Sequence, residues 1–169
     1  MDIRPAAIFD LDGTLIPMAS AERTFFFYLI RHKSLSLLDL FRMFGALWSW
    51  HGNMHAMLRG NKRYLKNKSV DKVNRIARDF FEPQIKKLVF PKMYEKIEMH
   101  RNAGERLLLL SGTLDIIAGC FIRRLGFEGG KAGTLEQKNG LFTGKLSGIL
   151  PYGMGKLEVL SELRREYTF

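Results

Sequence analysis

The chain has 169 residues, enough for one well-buried core with a smaller satellite inserted in it, and its 46% hydrophobic and 26% charged content excludes disorder. Its formal net charge of +10 calls for anionic partners: phosphorylated small molecules, an acidic membrane surface or nucleic acid. Cys120 is the single cysteine, which rules out an intrachain disulfide or thiolate metal cluster and suits a reducing cytoplasm.

The first residues, Met1-Asp2-Ile3-Arg4-Pro5, run straight into a strand-like segment and do not read as a signal peptide. No run of about 18 apolar residues is present to form a spanning helix. Ala6-Ala7-Ile8-Phe9 is a short apolar run that stops abruptly at Asp10, as a buried parallel strand does. Between residues 17 and 100 strand patterns fade. Phe25 to Ile30, Leu35 to Trp50 and Val70 to Val89 read as amphipathic helices. This segment holds 16 of the 27 Lys and Arg but only 7 of the 17 Asp and Glu, so nearly all the excess charge lies in it. That asymmetry marks a second, helical subdomain.

A second apolar run, Leu107 to Leu110, stops at Ser111-Gly112-Thr113. Ile116, Ile117, Cys120, Phe121 and Leu125 then follow with helical spacing, closed by Gly126, with Thr113 as the expected N-cap and Asp115 in the first turn. Glu136 to Leu146 reads as a hairpin turning at Asn139-Gly140. Pro151 to Gly155 is a loop, and from Lys156 onward Leu157, Leu160 and Leu163 give a helix face. Strand, polar turn and helix in succession predict an α/β fold: a Rossmann-like open parallel sheet formed by residues 1–16 and 101–169, with residues 17–100 as an inserted α-helical cap.

The sharpest chemical signal is Phe9-Asp10-Leu11-Asp12-Gly13-Thr14-Leu15. Two carboxylates stand two residues apart on a loop after a buried strand, where sites form in open α/β sheets. One can bind a cation and attack phosphorus while its neighbour handles protons. Gly13 and Thr14 leave room for backbone N–H groups to face phosphate oxygens. A calcium loop would open similarly, but Thr14 stands at its third ligand position and Ala21 at its twelfth, so that reading fails. His51 and His55 have a zinc-compatible spacing, without an evident third ligand.

This segment resembles the first motif of the haloacid dehalogenase superfamily. Ser111 matches the family's phosphate-binding Ser/Thr, with Gly112 beside it, and Lys156 matches its basic residue. Gly133-Thr134-Leu135-Glu136, Asn139 to Gly144 and Gly155-Lys156 look like the phosphoserine-phosphatase-like branch, in which a helical cap lies between the first two motifs. The resemblance implies a Mg²⁺-dependent phosphatase. Asp10 would be the nucleophile and Asp12 the acid/base; Mg²⁺ would sit on Asp10 and the Asp12 backbone; Gly13, Thr14, Ser111, Gly112 and Lys156 would hold the phosphate. The family's later acidic Gly-Asp-x-x-x-Asp motif has no match before Phe169. Glu158, Glu162 and Glu166 read as one solvated helix face. The expectation is therefore a longer natural protein or a shortened chain, with a metal site weakened as it stands.

Small phosphorylated metabolites and phospholipid head groups are both candidate substrates. The aromatic segments 25–30 and 35–50, with Arg31, Lys33, Arg42, Arg59, Lys62, Arg63, Lys66 and Lys68 nearby, suit either a helical core or an anionic membrane surface touched from the cytoplasm. Free phosphoserine ranks lower. The branch's phosphoserine enzymes usually carry Ser where Gly13 stands, and Glu22 is an ill-matched candidate for the Glu that reads the amino group. A phosphate-binding or regulatory module without turnover is the alternative to the enzyme. Nucleic acid is disfavoured, because the basic residues carry no recognition motif.

Overall fold

The computed structural model describes residues 3–18, 21–41 and 62–169. Most of the 35–50 segment and both His51 and His55 lie outside them. The elements run β1 (Ala6–Phe9), α1 (Ala21–Arg31), a 3₁₀ turn (Arg63–Leu65), α2 (Val70–Phe81), α3 (Ile85–Leu88), α4 (Pro91–Asn102), β2 (Arg106–Leu114), α5 (Asp115–Leu125), β3 (Gly129–Lys138), β4 (Leu141–Ser147) and α6 (Gly155–Tyr167).

The sheet order is β1-β2-β3-β4. β1 pairs parallel with β2, Phe9 opposite Leu109, and β2 pairs parallel with β3. β4 returns antiparallel to β3 through Asn139 (φ 51°) and Gly140 (φ 74°), the positive-φ pair that a tight hairpin requires. The sheet is thus parallel where the predicted strands lie and mixed at the hairpin edge. Residues 67–70 extend that edge: Asn67 and Val70 donate to the Phe142 and Gly140 carbonyls, and Phe142 N–H donates to the Lys68 carbonyl. The segment leading into α2 is therefore stitched to the sheet.

Leu107 to Leu110 are buried in the middle of the sheet, as a strand covered on both faces requires. α5 packs on β2 and β3 through Ile117, Cys120 and Phe121, and it ends at Gly126 in the left-handed conformation that closes many helices. α2 packs in turn on α5. Phe81 lies between Phe25 of α1 (5.8 Å) and Phe121 of α5 (5.7 Å), so one aromatic column joins α1, α2 and α5. Burial of each such ring stabilises the fold by roughly 1.5–3 kcal/mol.

Two local expectations change. The predicted helix over Val70 to Val89 is two helices, because Pro83 cannot donate to a helical carbonyl and the first helix stops at Phe81. Thr113 does not cap α5. β2 runs on to Leu114, which takes the N-cap position, and Asp115 Oδ1 accepts from the Ile116 N–H (2.7 Å).

Candidate active site

The loop after β1 is built around its buried leucines. Leu11, Leu15 and Ile16 are buried, and the Leu11 carbonyl accepts from the N–H groups of Thr14, Leu15 and Ile16 (3.3, 3.0 and 3.1 Å). Gly13 N–H donates to the Ile16 carbonyl (2.8 Å), and Gly13 sits at φ 79°, a conformation costly for any residue with a Cβ. The two amides expected to face phosphate are thus turned into the loop. With its hydrophobic residues inward, the loop leaves Asp10 and Asp12 at the carboxyl edge of the sheet.

Both carboxylates are held. Asp10 Oδ1 accepts from the Leu11 N–H (2.8 Å) and Oδ2 from Lys156 Nζ (2.6 Å). This pair brings together residues 146 apart in sequence, and both side chains remain about one-third exposed (33% and 34%). Asp12 Oδ1 accepts from the N–H of Ala21, the first residue of α1 (2.7 Å). The positive end of that helix therefore meets the second carboxylate.

Lys156 reaches Asp10 because the 150–155 loop is tight. Tyr152, Gly155 and Lys156 donate to the carbonyls of Leu150, Tyr152 and Gly153. Gly155 packs so closely that a Cβ there would stand 2.4 Å from the Leu150 carbonyl oxygen. The same loop faces the end of β2, where a Cβ on Gly112 would lie 3.4 Å from the Pro151 oxygen. Ser111 stands two residues past Leu109, the partner of Phe9 in the β1–β2 register; it is 1% exposed, and its Oγ accepts from the Thr113 N–H (3.3 Å). Its hydroxyl proton is left for another acceptor.

A second ionic cluster lies just past Ala21. Glu22 of α1 accepts from Lys62 Nζ through both carboxylate oxygens (2.5 and 2.7 Å) and from the Tyr64 hydroxyl (3.0 Å), and all three residues are buried. Burial and the Glu22 carboxylate push the Tyr64 phenol well up, so it stays a proton donor. Sequence spacing gave no sign of this network, whose members lie 40 or more residues apart. Lys62 also leaves the set of exposed cations available to a membrane, and Lys68 pairs with Asp39 (2.6 Å). Burial pushes the Cys120 thiol up to about 11, which leaves it no role as a nucleophile near neutral pH.

The donors that the resemblance assigns to Mg²⁺ would be oxygens, the Asp10 carboxylate, now accepting from Leu11 N–H and Lys156 Nζ, and the Asp12 backbone carbonyl. That hard, sparse set fits an ion that keeps several waters and shares a substrate phosphate. Among the described residues no group of three His, Cys, Asp or Glu side chains converges.

Comparison with known proteins bears on the family and the fold. A profile of the haloacid dehalogenase-like hydrolases matches residues 7–169. Phosphoserine phosphatase SerB1 of Mycobacterium tuberculosis (strain H37Rv) is 27% identical over 172 residues, covering 96% of this chain and 55% of its own length. The chain thus spans about half the length of the curated relatives it matches. A protein of unknown function from Bordetella pertussis Tohama I superposes with a TM-score of 0.78 at 18% identity, covering 98% of this chain and 76% of that one. A phospho-aspartyl intermediate analogue of phosphoserine phosphatase gives 0.57 at 21% identity, covering 99% and 74%. With a family match from Ala7 to Phe169 and a shared fold, this chain belongs to the haloacid dehalogenase-like hydrolases.

Proposed function

We propose that the chain carries the nucleophile of a phosphomonoesterase working through an aspartyl-phosphate on Asp10. The observation that carries this reading is the 2.6 Å contact between Lys156 Nζ and an Asp10 carboxylate that is still one-third exposed. A bare carboxylate repels a phosphate dianion; one neutralised by an ammonium can meet it. Asp10 attacks phosphorus in line, an Asp10–phosphorus bond forms and the bond to the leaving oxygen breaks. Asp12 protonates that oxygen, then takes a proton from the water that attacks phosphorus and frees inorganic phosphate. Ser111 and the Gly112 backbone hold the transferred group beside Lys156, and the Gly13 and Thr14 amides join them if the loop opens. Mg²⁺, bound by Asp10 and the Asp12 carbonyl, would supply further charge neutralisation.

The substrate in this reading is a small phosphorylated metabolite without an ammonium group. Glu22 supports this: to read an amino group it would have to give up Lys62 inside a buried network, at a cost of several kcal/mol. The residues 17–100 serve as the cap over the site in this proposal. Leu37, Leu38 and Phe41 are exposed on it, which also favours a phospholipid head group at an anionic membrane surface, approached from the cytoplasm. No helix among the described residues is long and apolar enough to cross a membrane.

Hydrolysis of an aryl phosphate with Mg²⁺, with EDTA and with Asp10→Asn tests the reading. Activity lost in both latter arms is expected; activity that survives Asp10→Asn would refute it. The sparse donor set favours one second reading, a phosphate-binding module without turnover. Binding of inorganic phosphate together with no hydrolysis would select it. Phosphoserine turned over faster than the aryl phosphate would overturn the role given to Glu22. Flotation with vesicles regardless of anionic lipid would remove the membrane proposal.

A further inference from the structure

Two buried hydroxyls stand close together at the carboxyl end of β2. From Leu110 to Leu114 this strand advances four residues while β3 advances two, so Ser111, Gly112 and Thr113 sit where the ladder shifts. Such irregularities re-aim side chains beside active sites. Gly112 faces the 150–155 loop, and the Thr113 N–H donates to Ser111 Oγ (3.3 Å). Thr113 is placed about as deeply as Ser111, at 3% exposed, yet its Oγ1 is buried without a hydrogen-bond partner among the described residues. The Asp115 carboxylate, two residues on, accepts from the Ile116 N–H and the Thr134 hydroxyl instead. Ser111 and Thr113 thus each hold a hydroxyl proton that no described residue accepts, and a buried hydroxyl left unpaired is costly.

We infer that Thr113 is a second hydroxyl donor to the phosphoryl group at this site, acting beside Ser111. The inference rests on the phosphatase reading of Asp10 and Lys156 and adds a residue to it. The reach is sufficient. A threonine hydroxyl is at most about 3.7 Å from its own amide nitrogen, so Thr113 Oγ1 lies within about 7 Å of Ser111 Oγ. A phosphate bridges two hydroxyls at that spacing, since each O–H···O bond adds about 2.7 Å to the width of the anion. The site also needs the donor. The Gly13 and Thr14 amides are engaged with the Ile16 and Leu11 carbonyls, which leaves the outer phosphate oxygens short of partners. A hydroxyl proton given to an anion makes a stronger bond than one between neutral groups.

The test is calorimetric titration of the 169-residue chain with inorganic phosphate in the presence of Mg²⁺, alongside Thr113→Val and Thr113→Ser. Urea unfolding of each chain without phosphate accompanies it. Thr113→Val keeps the shape of the side chain and removes its hydroxyl, so it should weaken phosphate by about 10- to 100-fold. Its stability without phosphate should equal or exceed the parent's, because the hydroxyl removed was unpaired. Thr113→Ser, which keeps a hydroxyl, should recover most of the affinity. Equal phosphate affinity in the parent and Thr113→Val would overturn the inference and leave the reading of Asp10 standing. So would a serine variant that binds as weakly as the valine one. A Thr113→Val chain that unfolds more easily, with serine restoring the stability, would make the hydroxyl structural and overturn it equally. A parent that binds no phosphate would overturn the reading of the site and the inference together.

Discussion

Two lysine–carboxylate pairs of nearly equal length stand in very different surroundings. Lys156–Asp10 (2.6 Å) is about one-third exposed on both sides; Lys62–Glu22 (2.5 Å) is 1% and 6% exposed. Water reaches the first pair, so a second anion could share its ammonium at little cost. The second is sealed, braced by Tyr64 and joined to α1, so exchanging either partner would strand a charge in the interior. Exposure, more than distance, separates a pair suited to chemistry from a pair suited to holding a helix in place. The second pair is also tied to the loop after β1 through α1, whose first amide holds Asp12 and whose second residue is Glu22.

The strongest way to break this contrast is to remove one member of each pair. Asp10→Asn should lower aryl phosphate turnover by on the order of 10⁴-fold or more, as loss of a nucleophile does. Its thermal midpoint should stay within a few degrees of the parent. Lys62→Ala should do the reverse in kind, costing about 3–5 kcal/mol in urea unfolding because Glu22 is left charged and buried. Lys62→Met combined with Glu22→Leu should recover much of that loss. If Lys62→Ala is as stable as the parent, the sealed pair does not hold the fold.

A finer test concerns the geometry of the open pair alone. Gly155→Ala sets a Cβ against the Leu150 carbonyl, at 2.4 Å before relaxation, and so shifts the backbone that carries Lys156. A displacement of about 1 Å at a reacting group commonly costs about 100-fold in rate. The expected signature is a fall of that size in kcat with modest loss of stability; unchanged kinetics would show that Lys156 need not sit where it does.

These contrasts also mark how far the sequence could be read. β1, β2, α5 and the hairpin were legible because each is local: an apolar run that ends at a polar turn, a helical spacing closed by Gly126, an Asn-Gly pair. Asp10, Ser111 and Lys156 were singled out by their order along the chain, and of these the structure brings Asp10 and Lys156 into contact. Glu22, Lys62 and Tyr64 were not legible as a unit. Their association is set by how α1 packs against the segment around the 3₁₀ turn, and on charge alone Lys62 was grouped with the surface cations. The inward-turned amides of Gly13 and Thr14 were equally hidden, since loop hydrogen bonds depend on where Leu11 and Ile16 are buried.

A third pair falls between the other two and gives the smallest expected effect. Asp39 is nearly buried, whereas Lys68, 2.6 Å away, is 26% exposed. Burial pulls the Asp39 carboxyl upward, but hydrogen bonds from Lys68 and Ser36, with the Lys68 charge, outweigh it and hold the group below its usual 3.8. A carboxyl whose folded pKa is depressed stabilises the fold in its ionised form. The contribution is therefore complete above the unfolded value and is lost as pH falls through the lower folded one. Asp39→Asn should accordingly unfold more easily than the parent at pH 7, and the difference should shrink steadily below pH 3.8. Urea unfolding of both chains across that range measures it. A difference that persists unchanged under acid would place the role of Asp39 in its hydrogen bonds to Ser36, which an amide can partly replace, and not in its charge.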